Sequence, residues 1–183
     1  SLVVPFMPIF VEQLGVEGDQ VAFYSGLAIS VSAISAAFVS PIWGILADKY
    51  GRKPMMIRAG LAMTITMGGL AFVPNVFWLL FLRFLNGVFT GFVPNATALI
   101  ASQVPKDRSG YALGTLSTGV VAGTLTGPFV GGFIAEIFGI RNVFLLVGSF
   151  LFLAAILTIL FIKENFQPVP KEKALPTKEL FTS

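Results

Sequence analysis

The sequence predicts an all-α membrane protein of six transmembrane helices, arranged as two inverted three-helix repeats. Three observations lead there. Of 183 residues, 55% are hydrophobic and only 11% charged, with a mean hydropathy of +0.86; a soluble domain carries about 25% charged residues. Apolar stretches near the ~20 residues that cross a bilayer recur along the chain. The pattern G-x-[LI]-A-[DE]-x-[YF]-G stands at residues 44–51 and returns 88 positions later at 132–139.

The segment before residue 15 is apolar but about 14 residues long, short of a full span. It is read as the outer part of a first span whose beginning is missing, and not as a signal peptide, since it lacks a basic start and a small-residue cleavage site. Five full spans follow, at 21–46, 55–73, 77–100, 111–135 and 142–162. Lys49, Arg52, Lys53 and Arg58 fall between spans 2 and 3, Lys106 and Arg108 between spans 4 and 5, and Lys163, Lys171, Lys173 and Lys178 after span 6. The opposite side has Arg141 beside Glu12, Glu17, Asp19 and Glu136. The positive-inside rule makes the basic side cytoplasmic, so the carboxy-terminal tail is expected there. Trp43 and Trp78 fall near span ends, where indoles prefer the interface. Residues 1–162 form the transmembrane unit. Residues 163–183, with three prolines and alternating Lys and Glu, read as a cytoplasmic linker toward an absent second half.

The repeat extends beyond its eight-residue pattern. Val16, Asp19 and Gly26 match Val104, Asp107 and Gly114, and Pro41 is answered by Pro128. Spans 1–3 therefore resemble spans 4–6. Three is odd, so the second copy is inverted, with Asp48 cytoplasmic and Glu136 external; inverted repeats of this kind point to a transporter. The plainer account is that Gly, Ala and an acid suit any helix end.

Several residues carry chemistry. Asp48 and Arg52 stand one helical turn apart and can pair, and Gly51 permits a tight turn. Arg83 lies about 9 Å into span 4 by helical rise. An Arg at that depth either faces a cavity or partner, or snorkels to the outer interface. Gly119, Gly123, Gly127 and Gly131 recur every four residues beside Pro128 and Gly132, a stripe that lets a neighbouring helix approach closely while the proline bends the chain. Asn86, Thr90 and Asn95, with Thr97, Thr115, Thr118, Thr124 and Thr126, are polar groups in or near the spans. Asn86, Thr90 and Asn95 are the substrate-pocket candidates, and Phe84, Phe89, Phe92 and Phe129 can wall a hydrophobic site. For most of the threonines, packing or bonding to their own helix is the plainer role.

Other functions find no support. The chain has no Cys and no His, which excludes disulfides, thiol catalysis and the usual metal ligand. No catalytic residue, nucleophile–base pair or phosphate loop is visible, so neither an enzyme, a cofactor nor a metal is expected. The pI near 9.4 reflects membrane-flanking loops and not a nucleic-acid surface.

Gly44-Ile-Leu-Ala-Asp48-Lys-Tyr-Gly51-Arg52-Lys53 resembles the loop signature of the major facilitator superfamily. Leu79-x-x-x-Arg83-x-x-Asn86-Gly87 resembles its fourth-helix motif, and Gly123-Thr-Leu-Thr-Gly127-Pro128-Phe-Val-Gly131-Gly132 its antiporter signature. Pro5-Phe-Met-Pro8, Pro8–Gly15, Gly91–Thr97, Tyr111–Thr118 and Phe166–Val169 are similar to the twelve-span drug:proton antiporter branch, in particular the MdtG-type multidrug resistance proteins. The resemblance implies one half of a major facilitator fold in the cell membrane. It implies proton-coupled efflux of a small amphiphilic substrate, with protons, the lipid bilayer and a missing carboxy-terminal half as partners. Gly44, Asp48, Gly51, Arg52 and Lys53 would then form the gating motif at the interface with the other half, and Arg83 would serve proton coupling. A sugar or metabolite porter of the same superfamily is a second expectation, disfavoured by the antiporter signature. A non-transporting fragment or scaffold is a third.

Overall fold

A computed structural model describes residues 4–164, and among these it is all-helical. A single 3-10 turn at Val4–Phe6 precedes α1 (Met7–Gln13), α2 (Gln20–Tyr50), α3 (Arg52–Leu70), α4 (Val76–Val88), α5 (Phe92–Gln103), α6 (Lys106–Phe138) and α7 (Ile140–Phe161). The expected linker lies mostly outside the described residues, as does the Phe166–Val169 motif.

Two sequence expectations change. Among the described residues four helical stretches, and not five, are long and apolar enough to cross a bilayer: Gln20–Tyr50, Val76–Gln103, Lys106–Phe138 and Ile140–Phe161. The 19-residue α3 is less apolar because Arg52, Lys53 and Arg58 sit along it. The span expected at 77–100 is broken at residues 89–91 into α4 and α5. Gly91 has φ +126°, which no helix continues.

Gly51 ends α2 and Gly139 ends α6 in nearly the same backbone conformation, φ/ψ 101°/158° and 86°/156°. Each donates its N–H to the alanine four residues back, Ala47 or Ala135, at 2.9 and 3.0 Å. In both cases the next residue begins a new helix, α3 or α7. The two copies of the pattern thus fold into one local structure, because each supplies the residue type that tolerates positive φ at the same helix end.

α3 and α7 pack most extensively, α2 packs mainly on α4, and α6 touches chiefly α7 and α5. The α3–α7 pair is antiparallel: a Cβ on Gly60 would lie 3.0 Å from Ala155 Cβ, and one on Gly148 would lie 3.3 Å from the Gly68 nitrogen. Both ends of this pair are pinned by charge. Arg141, at the start of α7, donates to the carbonyls of Ala71 and Val73 where α3 ends (3.1 and 3.4 Å). The Glu164 carboxylate, just past α7, accepts from the N–H groups of Arg52 and Lys53 where α3 begins (2.7 and 2.8 Å). A cation at the carbonyl end and an anion at the N–H end both oppose the helix dipole. Glu164→Gln is therefore expected to lower the unfolding free energy of the detergent-solubilised protein by about 1 kcal/mol. Identical melting of Glu164→Gln and wild type would remove this role.

The larger apolar core gathers at one end of the bundle, around Met7, Phe10, Leu70, Leu79 and Phe144. Phe10 and Phe144 pack there as a tilted ring pair with centroids 4.6 Å apart. A smaller cluster of Met56, Ala96 and Leu99 lies near the opposite end, with Phe92 and Leu116 packed against it.

Candidate functional site

The charged turn is built by the α2 terminus. Helical spacing brings Asp48 and Arg52 together across Gly51, and the carboxylate accepts from Arg52 Nη2 at 2.5 Å. Asp48 is 57% exposed at its side chain, so the pair remains open to a partner. Lys53 turns elsewhere: its Nζ donates to the Ile159 carbonyl near the end of α7 at 3.0 Å. Arg141 and Ala71 stand 88 positions from Lys53 and Ile159 in opposite order, and they make the same kind of contact. The residues expected to form the gating motif therefore divide. Asp48 and Arg52 form an exposed pair, Lys53 clasps a helix end within this chain, and Gly44 has no atom within 4 Å of a Cβ built on it.

A cavity of about 470 Å³ opens beside α4 at mid-bundle, within the size range of small-molecule sites. Its walls come from α2 (Ile29, Ser32, Ala33, Ala36), α3 (Met63, Met67), α4 and the residue pair after it (Arg83, Asn86, Gly87, Thr90), and α7 (Val147, Leu151), with Val4 at one edge. Arg83 is only 6% exposed, which settles its orientation inward and excludes snorkelling. Its Nη2 meets the Met7 thioether at 3.6 Å, and its buried Nε has no acceptor. Asn86 is buried and donates to Thr66 Oγ1 at 3.0 Å. Thr90 lines the same cavity.

Asn95, expected in the pocket, lies outside it. Its Nδ2 bonds back to the Gly91 carbonyl at 2.7 Å and closes the first turn of α5. The break at Gly91 resets the helical phase, so residues beyond it do not share a face with Arg83 and Asn86. The aromatic walls also move. Phe84 borders a separate exterior groove with Phe38, Phe92 packs in the smaller core cluster, Phe129 is exposed, and Phe89 does not line the cavity. The cavity walls are aliphatic and methionine-rich instead.

The stripe on α6 meets a neighbour along only part of its length. Gly127 and Gly131 are buried, and Gly132 approaches Phe6, with 3.8 Å from a built Cβ to Phe6 Cζ. Gly119 and Gly123 face no atom within 4 Å. Pro128 lies inside the helix, which continues through it to Phe138. Thr115, Thr118, Thr124 and Thr126 are exposed and bond to the carbonyl four residues back on α6. Thr97 does the same on α5. The closest backbone approach is at Gly87, where a Cβ would lie 1.9 Å from Ser35 Oγ and 2.3 Å from the Ser32 carbonyl oxygen.

Several contacts around the cavity and the helix break leave little local signal in the sequence. Ser32 and Ser35 reach across from α2 to acceptors on α4: their hydroxyls donate to the carbonyls of Arg83 (2.8 Å) and Phe84 (3.2 Å). Hydroxyls three residues apart inside an apolar span were the available signal. Trp43 and Arg58, expected as interface and loop anchors, pack between helices: the guanidinium lies 3.4 Å from the indole centroid. Trp43 Nε1 donates to the Val88 carbonyl (2.7 Å) and Arg58 Nη2 to that of Thr90 (3.3 Å). The break between α4 and α5 frees carbonyls, and this stacked pair satisfies two of them. Trp78 does sit exposed, edge-on to Phe81.

Residues 1–182 match the sequence profile of the Major Facilitator Superfamily. The whole chain is 88% identical over 183 residues to the multi-drug resistance efflux pump PmrA of Streptococcus pneumoniae, covering 46% of that protein. It is 59% identical over 180 residues, 98% of its length, to the PmrA homolog of Lactococcus lactis, covering 44%. It is 47% identical over 184 aligned positions to the multidrug resistance protein MdtG of Proteus mirabilis, covering 46%. The chain thus spans about half the length of the curated relatives it matches.

Proposed function

We propose, because this chain belongs to the Major Facilitator Superfamily, that it is the amino-terminal six-helix half of a proton-coupled exporter of amphiphilic compounds. The observation that carries this is the 88% identity, along all 183 residues, to a protein named as a multi-drug efflux pump. The cavity beside α4 supports it, since a transporter site lies near the bilayer midplane between repeats. Two inverted repeats of three spans are supported by the equal helix ends at Gly51 and Gly139 and by the reciprocal clasps of Lys53 and Arg141. The first span would then comprise α1 and what precedes it, and α4 and α5 together the fourth. Ten basic residues on one side favour a cytoplasmic tail.

Each candidate residue has a part in this reading. Asp48 and Arg52 form the gate pair toward the second half. Gly123, Gly127, Pro128, Gly131 and Gly132 shape a bent helix whose open face at Gly123 suits that half as a neighbour. Arg83, with Asn86 and Thr90, faces the substrate cavity and couples proton movement to it. No acid lies in mid-span in this sequence; the start of span 1 and the second half are the places left for the proton-carrying carboxylate.

The test is ethidium extrusion by the complete protein in liposomes under an imposed proton gradient. Extrusion no faster than from protein-free liposomes would overturn the efflux reading. In the same assay Asp48→Asn is expected to slow turnover while leaving dye binding near wild type. Losing the charge should bias the access equilibrium by about 1–3 kcal/mol. Equal turnover at equal expression would reduce Asp48 to a topology anchor.

A further inference from the structure

Arg83 is a buried cation with no counter-ion among the described residues. Among the described residues every acidic side chain, from Glu12 to Glu164, lies near a helix end or in a loop, and none borders the cavity. The guanidinium has a thioether, a weak acceptor, at Nη2 and no acceptor at Nε. The surrounding walls are mainly apolar, with Ser32, Asn86 and Thr90 as neutral polar groups, so among the described residues no anion offsets the desolvation of the charge. A planar guanidinium presents donors in a fork that matches an acidic group with two oxygens. An uncharged acceptor would satisfy the N–H but leave the charge uncompensated, and a cationic ligand would meet neither demand.

We infer that the cavity is an anion-accepting subsite, in which Arg83 receives the carboxylate-like group of an amphiphile whose apolar body lies along Ile29, Met67 and Leu151. Ser32 and Ser35 hold α4 at this point by bonding the carbonyls of Arg83 and Phe84, so the guanidinium is carried on a braced segment. Its own carbonyl is thereby satisfied, and the side chain remains free to engage the ligand. This rests on the efflux reading for its context, but its test is a binding measurement that stands apart from transport.

The experiment compares two probes on the purified complete protein by dansyl fluorescence: dansyl-aminohexanoate and its primary amide. They differ only in the charged end. Wild-type protein should bind the acid about tenfold or more tightly than the amide, the scale of one hydrogen bond to a charged group. Lowering the pH until the probe's carboxyl protonates should remove that preference, while amide binding serves as the control. Arg83→Gln should bind the two probes equally. Equal affinities in the wild type would overturn the inference, and would mean that an acid elsewhere in the complete protein already occupies Arg83. A preference that survives in Arg83→Gln would overturn it too. If Arg83→Gln does not fold, the wild-type ratio and its loss on acidification decide the matter. Ethidium extrusion with equal acid and amide binding sinks only this inference. Acid preference without ethidium extrusion sinks only the efflux reading.

Discussion

Gly87→Ala should leave little folded protein, although it adds a single methyl group. At this crossing α2 and α4 touch through backbone, and the new carbon would lie 1.9 Å from Ser35 Oγ and 2.3 Å from the Ser32 carbonyl oxygen. The hydroxyl can rotate away, but the carbonyl belongs to the α2 backbone and cannot. The helices must separate, which breaks the serine bonds to Arg83 and Phe84 and opens the wall of the cavity. Overpacking of this kind destabilises by about 1–3 kcal/mol, and the lost bonds add to that. The measurement is the monodisperse fraction on size-exclusion chromatography after extraction, followed by thermal unfolding. Gly119→Ala and Gly123→Ala are the controls, since neither built Cβ meets an atom within 4 Å. If Gly87→Ala extracts and melts like these two, α2 and α4 are not packed as described.

Gly91→Ala should be the next most damaging, for a different reason. The added carbon has room, with its nearest neighbour, Asn95 Nδ2, at 3.4 Å. The backbone has none: φ is +126° and ψ 9°, a conformation that L side chains rarely adopt. Strain at such a residue is about 1–3 kcal/mol. Relief would require straightening the break, which would pull the carbonyls of Val88 and Thr90 away from Trp43 and Arg58. The expected signature is a lower melting temperature together with altered Trp43 fluorescence. Trp43→Phe, which lacks the indole N–H but keeps a ring for Arg58, should show a smaller loss. Wild-type stability in Gly91→Ala would argue that α4 and α5 form one continuous helix.

The sequence by itself determined whatever depends on neighbours along the chain. Low charge and long apolar runs required helices, because in lipid a backbone must satisfy its own hydrogen bonds. Gly51 and Gly139 marked two helix ends, Asp48 and Arg52 one turn apart paired as spacing requires, and the exposed threonines of α6 bonded to their own helix. The depth of Arg83 along its span showed that it needed a reason to be there, but not whether that reason was a cavity or the interface.

Only the tertiary structure decided which side chains meet across the bundle. Glu164 caps α3 from 112 positions away along the chain, and Ser32 reaches a carbonyl 51 positions away. Neither contact leaves a local signature. The orientation of each helix was equally illegible. A soluble helix betrays its buried face by alternating apolar and polar stripes. Here lipid and protein interior are both apolar, so Phe129 on the outside and Phe144 in the core look alike in sequence. Small residues showed where a close approach was possible, yet they could not say which glycine met a partner. Gly87 met α2 at contact distance while Gly123 met nothing, because close packing depends on the path of a second helix as well as on the absence of a side chain on the first.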